Sequence, residues 1–388
     1  MLNSILLHDL HPAKLFPEMQ LGRYRFTLKF KRKIQTSLYQ GAALRGLLGH
    51  SLVEIECPFR KKDCNHCSLH RSCAYYTLYE SRSKNKCFVY LPRPYIISPV
   101  AMFDNQQKNY QPENRESAIF KSASSDGISL LDVDITLIGH AGEHLSSVIA
   151  AWDNAGKKGL IIGNKTETFT LESVMCIHPG TMDTSLPLLN IPDGGEKQSV
   201  GIDSPGNRQT GQHKNSAFQT VFQKNSICSY DQTVYPLADY LTLDSPIDSL
   251  RHLWKIYILT PLRLRDKGKN LGNVEWSNAF NSLAIRLSVL NQYYCGGERT
   301  DPEQWERLLV FFRDPGRTYD STEWKDIKRY SSRQKARIFM SGIQGECIVE
   351  PPSSTLDLWW QWWQMAELFH LGKGITMGLG KIHPVMMK

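Results

Sequence analysis

The chain has no run of 18 or more apolar residues, so no segment offers the roughly 20-residue apolar helix that crossing a bilayer requires. Its opening, "MLNSILLHDLHPAKLF", lacks the basic start and uninterrupted apolar core of a secretory signal, which leads to the expectation of a cytoplasmic protein with no membrane partner. A disulfide framework is disfavoured as well, because nine cysteines is an odd number and a reducing compartment keeps thiols free. Any cysteine cluster is then better explained by metal. Acid is the scarcer charge: 38 Asp+Glu face 46 Lys+Arg, a formal net charge of +8, which favours an anionic partner.

What is present is the composition of a folded globular protein, 41% hydrophobic and 22% charged, and 388 residues suffice for two domains with a core each. Residues 22–34, "GRYRFTLKFKRKI", alternate Tyr24, Phe26, Leu28 and Phe30 with basic residues and predict a strand with one buried and one cationic face. A helix is predicted over 37–55, where Leu38, Ala42, Leu44, Leu47, Leu48 and Leu52 recur at near-helical spacing, then strands over 87–97 and 132–141, a helix over 143–156 and a strand over 167–177. The order β-α-β-β-α-β is that of a ferredoxin-like unit. Residues 181–235, rich in Gly, Pro, Ser, Asn and Gln, read as a flexible linker or mobile insertion. The second half predicts a strand over 252–265, a helix over 276–294, a hairpin within 331–350, a helix over 355–372 and a strand over 380–386. The expected fold class is therefore α+β, two tandem ferredoxin-like (RRM-like) domains at 1–180 and 236–388, with a cysteine-rich insertion at about 56–75.

That insertion, "CPFRKKDCNHCSLHRSC", spaces Cys57, Cys64, Cys67 and Cys73 closely enough for four thiolates to close on one tetrahedral ion. A structural zinc is the expected occupant. An iron–sulfur cluster is the alternative, and His66 or His70 could replace a sulfur. With four protein ligands no position stays open for substrate, so the metal is not expected to be catalytic. Arg60, Lys61, Lys62 and Arg71 around it could face phosphates.

The first predicted helix carries Tyr39, Arg45 and His50: a phenol, a cation and a group suited to moving protons near neutral pH. A lone helical histidine is more often a surface residue. His140 and His144 stand at a strand-to-helix junction without a third ligand and read as positioning residues. Trp359, Trp360, Trp362 and Trp363 read mainly as core, although four rings in five positions cannot all point inward. The last helix leads into "HLGKGITMGLGKI". That loop does not fit the Gly-x-x-x-x-Gly-Lys-Ser/Thr nucleotide pattern, and it precedes a strand rather than following one. Its glycine backbone plus Lys373 and Lys381 suit a long polyanion.

"LRGLLGHSL", the cysteine knuckle, "PRPYIISP", "ITLIGHAGEHL", "LTPLRLR" and "HLGKGITMGLGKI" occur in the order found in the CRISPR-associated repeat-processing endoribonucleases. In these motifs the chain resembles the Cas-six family of the RAMP superfamily. The resemblance implies an enzyme that binds CRISPR repeat RNA in a precursor transcript and cuts it without metal. In that family the 2′-hydroxyl attacks the scissile phosphate, leaving a 2′,3′-cyclic phosphate. It further implies His50 as the catalytic histidine, with Tyr39 and Arg45 as helpers. Gly372, Lys373, Gly374, Gly378, Gly380 and Lys381 would cradle the RNA backbone, and Lys29, Lys31, Arg32, Lys33, Arg263 and Arg265 are secondary phosphate contacts. Effector-complex or adaptation proteins are the further partners it allows. The competing expectations are a non-catalytic RAMP subunit that holds guide RNA, and a zinc-stabilised RNA-binding protein.

Overall fold

The computed structural model describes residues 7–34, 40–59, 63–82, 91–99, 128–162, 165–180, 218–224, 233–242, 253–331 and 336–387. Tyr39, Arg60, Lys61, Lys62 and residues 87–90 of the expected strand at 87–97 lie outside them. The protein is a mixed α/β structure built on two antiparallel sheets.

The first sheet is built on β1 (Gln20–Ile34), β2 (Tyr95–Pro99), β3 (Ile128–Ile138) and β4 (Phe169–Ile177) in the order β2-β3-β1-β4. Tyr24, Phe26 and Leu28 alternate along β1 and bury one face against α1 (Gly41–Glu56) and α2 (Leu145–Lys158). Leu44, Leu48 and Leu52 of α1 and Val148, Trp152 and Ala155 of α2 fill the other side of that core.

The second sheet repeats the pattern. Its strands β7 (Trp254–Leu262), β8 (Arg317–Lys325), β9 (Gly342–Glu350) and β10 (Ile382–Met386) lie in the order β8-β9-β7-β10. One face is covered by α3 (Trp276–Tyr294) and α5 (Leu356–Phe369). Trp359, Trp362 and Trp363 are fully buried there. Trp360 is half-buried and donates from Nε1 to Thr242 Oγ1 at 2.9 Å, so the fourth ring faces a neighbouring segment of its own chain.

Three expectations are revised. The hairpin placed within 331–350 is formed by β8 and β9, with a small ribbon, Lys328–Ser331 against Ala336–Phe339, at its end. A helix α4 (Pro302–Phe311) adds to the predicted elements; Asp301 caps it by accepting from the amides of Glu303 and Gln304. The domain boundaries at 180 and 236 also cut across the packing. Within 181–235, β5 (Phe218–Gln223) extends the first sheet beside β4, and Tyr235 begins a short β6 (Tyr235–Pro236) paired with the start of β1. Leu10, Leu15 and Phe16 are buried in the core of the second half, where Trp362 Nε1 donates to the Leu10 carbonyl at 3.2 Å. No helix among the described residues is long and apolar enough to cross a membrane.

Candidate nucleic-acid interface

α5 ends at Phe369, and the next residue, His370, turns the chain with φ +58, a positive-φ backbone that is uncommon outside glycine. Its ring Nδ1 donates to the Leu379 carbonyl at 3.2 Å, across the base of the glycine loop. Gly372, Gly374, Gly378 and Gly380 follow at φ between +70 and +87, where an L side chain is strained. Space excludes side chains as well: a Cβ on Gly380 would lie 1.8 Å from the Leu371 oxygen, and one on Gly372 2.5 Å from the Arg263 oxygen.

The loop is bonded to itself and to β7. Leu371 N donates to the Gly380 carbonyl at 2.9 Å, Gly380 N to Pro261 at 3.1 Å and Lys373 N to Arg263 at 3.0 Å. Thr260 bridges through its hydroxyl, donating to the Gly378 carbonyl and accepting from Lys381 N, both at 2.8 Å. The reading of bare glycine amides therefore needs correction. Gly378 and Gly380 already use theirs, and these glycines serve turn geometry and close approach. Lys381, expected as a loop cation, is only 8% exposed, whereas Lys373 is exposed.

The same loop is wedged against the first half. A Cβ on Gly41, the first residue of α1, would lie 2.0 Å from the Met377 oxygen, and one on Gly378 would lie 2.8 Å from the Ile97 oxygen at the end of β2. The glycine-rich segment thus fills the angle between β7, β2 and the start of α1. Beside it, Ser98 faces Asp134 in register, and Asp134 takes a bidentate pair from Arg25, Nε to Oδ1 at 2.8 Å and Nη2 to Oδ2 at 2.9 Å.

Arg45 lies one turn into α1 with its guanidinium 5.1 Å from the centre of the Tyr79 ring, and the Tyr79 hydroxyl donates to the Arg45 carbonyl at 2.7 Å. Tyr79 also stacks on Tyr75 at 5.4 Å. Burial, and then Tyr95 beside it, push the Tyr79 phenol well above its ordinary value, so it stays protonated and is no base at neutral pH.

His50 is exposed on the face of α1 turned away from Leu44, Leu48 and Leu52. It stands nine residues past Gly41, about 14 Å along the helix axis, and five residues past Arg45 it points in a different direction. The structure does not gather His50, Arg45 and the loop around one point.

The other cations separate into two groups. Arg263 is half-buried beside the loop, its guanidinium held below its ordinary value by burial and then by Arg265, which is exposed and bonds Asn270 at 3.0 Å. With Lys373 they form one basic corner. Arg32, by contrast, is engaged by Glu167 through two bonds at 2.8 and 2.7 Å, and Lys29 pairs with Glu172 at 3.6 Å. Lys31 and Lys33 are exposed further along β1.

Cys57, Cys64, Cys67 and Cys73 are free and half-buried in one neighbourhood. Burial, then Glu80, Cys73, Cys57 and Cys67 around it, push the Cys64 thiol up to about 11. The donor chemistry suits zinc, yet among the described residues no three His, Cys, Asp or Glu side chains are set to hold an ion. His140 donates through Nδ1 to the Tyr294 carbonyl at 3.0 Å and so joins the two halves. Burial holds the His144 imidazole below its ordinary value.

Comparison with known proteins bears on both halves. Residues 18–199 match a family model described as an N-terminal domain. Residues 256–382, which include the glycine loop, match the model of the CRISPR-associated endoribonuclease Cas6. No curated protein matches. The fold is similar to that of a Cas6 product complex, at 12% identity and TM-score 0.50 over 94% of this chain and 99% of that one. Weaker likenesses are Thermus thermophilus Cas6, at 9% identity and TM-score 0.43 over 95% of this chain and 99% of that one, and a partial Cas6-RT-Cas1–Cas2 complex, at 10% identity and TM-score 0.44 over 97% of this chain and 47% of that one. Over residues 256–382 the chain is thus similar to the CRISPR-associated endoribonuclease Cas6 family.

Proposed function

We propose that the protein binds the repeat RNA of a CRISPR precursor transcript and cuts it to release guide RNAs, each half contributing a ferredoxin-like unit. The observation that carries this reading is the glycine-rich loop, held by β7, β2 and α1 together, with Lys373, Arg263 and Arg265 at one basic corner. A polyanion lying there meets cations of the second half beside a loop that both halves hold. The proposed cut is metal-independent. The 2′-hydroxyl loses its proton and attacks the adjacent phosphate, the cations hold the charged phosphorane, and the 5′-oxygen leaves with a proton, giving a 2′,3′-cyclic phosphate. His50 is the proposed proton-transfer group, with Arg45 and Tyr39 as helpers.

Incubating the protein with labelled repeat RNA in EDTA tests the proposal. One defined cut supports it; binding without cutting supports a subunit that only holds RNA; loss of cutting on chelation overturns the metal-independent mechanism. Lys373→Ala is expected to weaken RNA binding about equally across sequences and to reduce the slope of log affinity against log salt by about 1. An unchanged slope in a salt titration would remove Lys373 from the RNA contact.

A structural zinc on Cys57, Cys64, Cys67 and Cys73 belongs to the same proposal, its role being to pin a polar insertion. Purified protein is expected to carry about one zinc per chain by plasma mass spectrometry, and to lose it when Cys64 and Cys67 are both changed to Ser. Iron with acid-labile sulfide would replace zinc by a cluster, and metal-free protein would end the assignment.

A further inference from the structure

α3 is nineteen residues long and carries one charge, Arg286. That side chain turns inward rather than to solvent: Nη2 donates to the carbonyls of Phe369 at 2.7 Å and His370 at 2.5 Å, and Nη1 to that of Gly372 at 3.4 Å. Phe369 closes α5, where the last carbonyls have no partners inside the helix and the backbone dipole is negative. A helix end of this kind is commonly finished by a left-handed glycine. Here His370 follows instead, at φ +58 and ψ 163, an extended positive-φ backbone that favours glycine, and the guanidinium holds the carbonyls that this turn directs inward.

We infer that Arg286 is the positioning residue of the glycine-rich loop: its fork fixes the carbonyls of Phe369, His370 and Gly372 and so aims Lys373 outward. The inference rests on the loop binding RNA, as proposed above. Its chemistry separates Arg286 from an ordinary cap. Burial pulls the guanidinium down to about 9, and among the described residues no acidic neighbour opposes the shift and the buried Nε has no hydrogen-bond partner. A buried cation without a carboxylate is unfavourable for folding alone. Three convergent carbonyls at the root of the loop are what this one holds, and Lys373 N is bonded one residue further on. Sequence alone marks the position: a single arginine embedded in "FNSLAIRLSVL".

Arg286→Met is the test, with folding checked by circular dichroism and RNA affinity measured across salt concentrations. The expected result is about tenfold weaker binding of repeat RNA, a salt slope lower by about 1 because Lys373 is no longer aimed, and a single-turnover rate at saturating RNA within about threefold of wild type. Adding His370→Gly should restore much of the affinity, since glycine takes the positive-φ turn unaided. A folded Arg286→Met protein with wild-type affinity overturns the inference, as does weaker binding with an unchanged salt slope and no rescue, the signature of a purely structural role. Should Arg286→Met not fold, Arg286→Gln, which keeps two amide donors, is read by the same criteria. Failure of the wild-type protein to bind or cut repeat RNA would instead overturn the proposed function.

Discussion

His50→Ala is expected to slow cleavage of repeat RNA by about 10²–10⁴-fold, the contribution of one positioned proton-transfer group, with RNA affinity nearly unchanged. The surroundings narrow the alternatives. Tyr79 is held protonated by burial, and Arg45 remains a cation, so neither takes a proton at neutral pH. His50 is exposed on α1, where a bound strand can reach its imidazole. The geometry sets a condition of its own. RNA held at Lys373 has to run along α1 to bring its scissile phosphate to His50. Single-turnover cleavage by His50→Ala at the wild-type rate would move the proton transfer to another group, Tyr39 first, without disturbing RNA binding at the loop.

Gly380→Ala is expected to destabilise the protein by roughly 2–5 kcal/mol, combining left-handed strain of about 1–2 with overpacking of about 1–3. Its φ of +70 is unfavourable for alanine, and the new Cβ would lie 1.8 Å from the Leu371 oxygen. The chain cannot yield locally, because Leu371 N is bonded to the Gly380 carbonyl and Gly380 N to Pro261. Gly46→Ala makes the contrast within the same fold. It lies inside α1 and, its own stretch of helix aside, no described residue comes within 4 Å of the place a Cβ would take, so alanine there should stabilise by about 0.4–1 kcal/mol. Denaturant midpoints of the two variants decide the matter: a Gly380→Ala midpoint near wild type would mean that the loop is looser than its bonding indicates.

How far the fold can be read from the sequence depends on the period of each segment. α3 spans Trp276–Tyr294, the limits its apolar spacing predicts, and β1 differs from expectation only by starting at Gln20. β8 has no alternation to detect, because it is an edge strand exposed along almost all of its length. α4 does carry a signal, Asp301 followed by Pro302 and Glu303, which marks a capped helix start. The site is legible in part. The glycine motif and Lys373 are visible in sequence, but the reason for the glycines is contact with the carbonyls of Leu371, Arg263 and Ile97, two of them distant in the chain. Arg32 looks like a free cation until Glu167, 135 residues away, is brought to it. Burial of Lys381 is equally a product of tertiary packing.

The attachment of Leu10 to Trp362, 352 residues apart, has a consequence for biosynthesis. At about 5–20 residues per second, a ribosome needs roughly 20–70 s to make the tryptophans that cover Leu10, Leu15 and Phe16. For that interval the leading segment is outside the ribosome with its apolar side chains uncovered. The second core then closes on two segments made that far apart in time, so a nascent chain stalled before α5 presents a ready binding site for a chaperone.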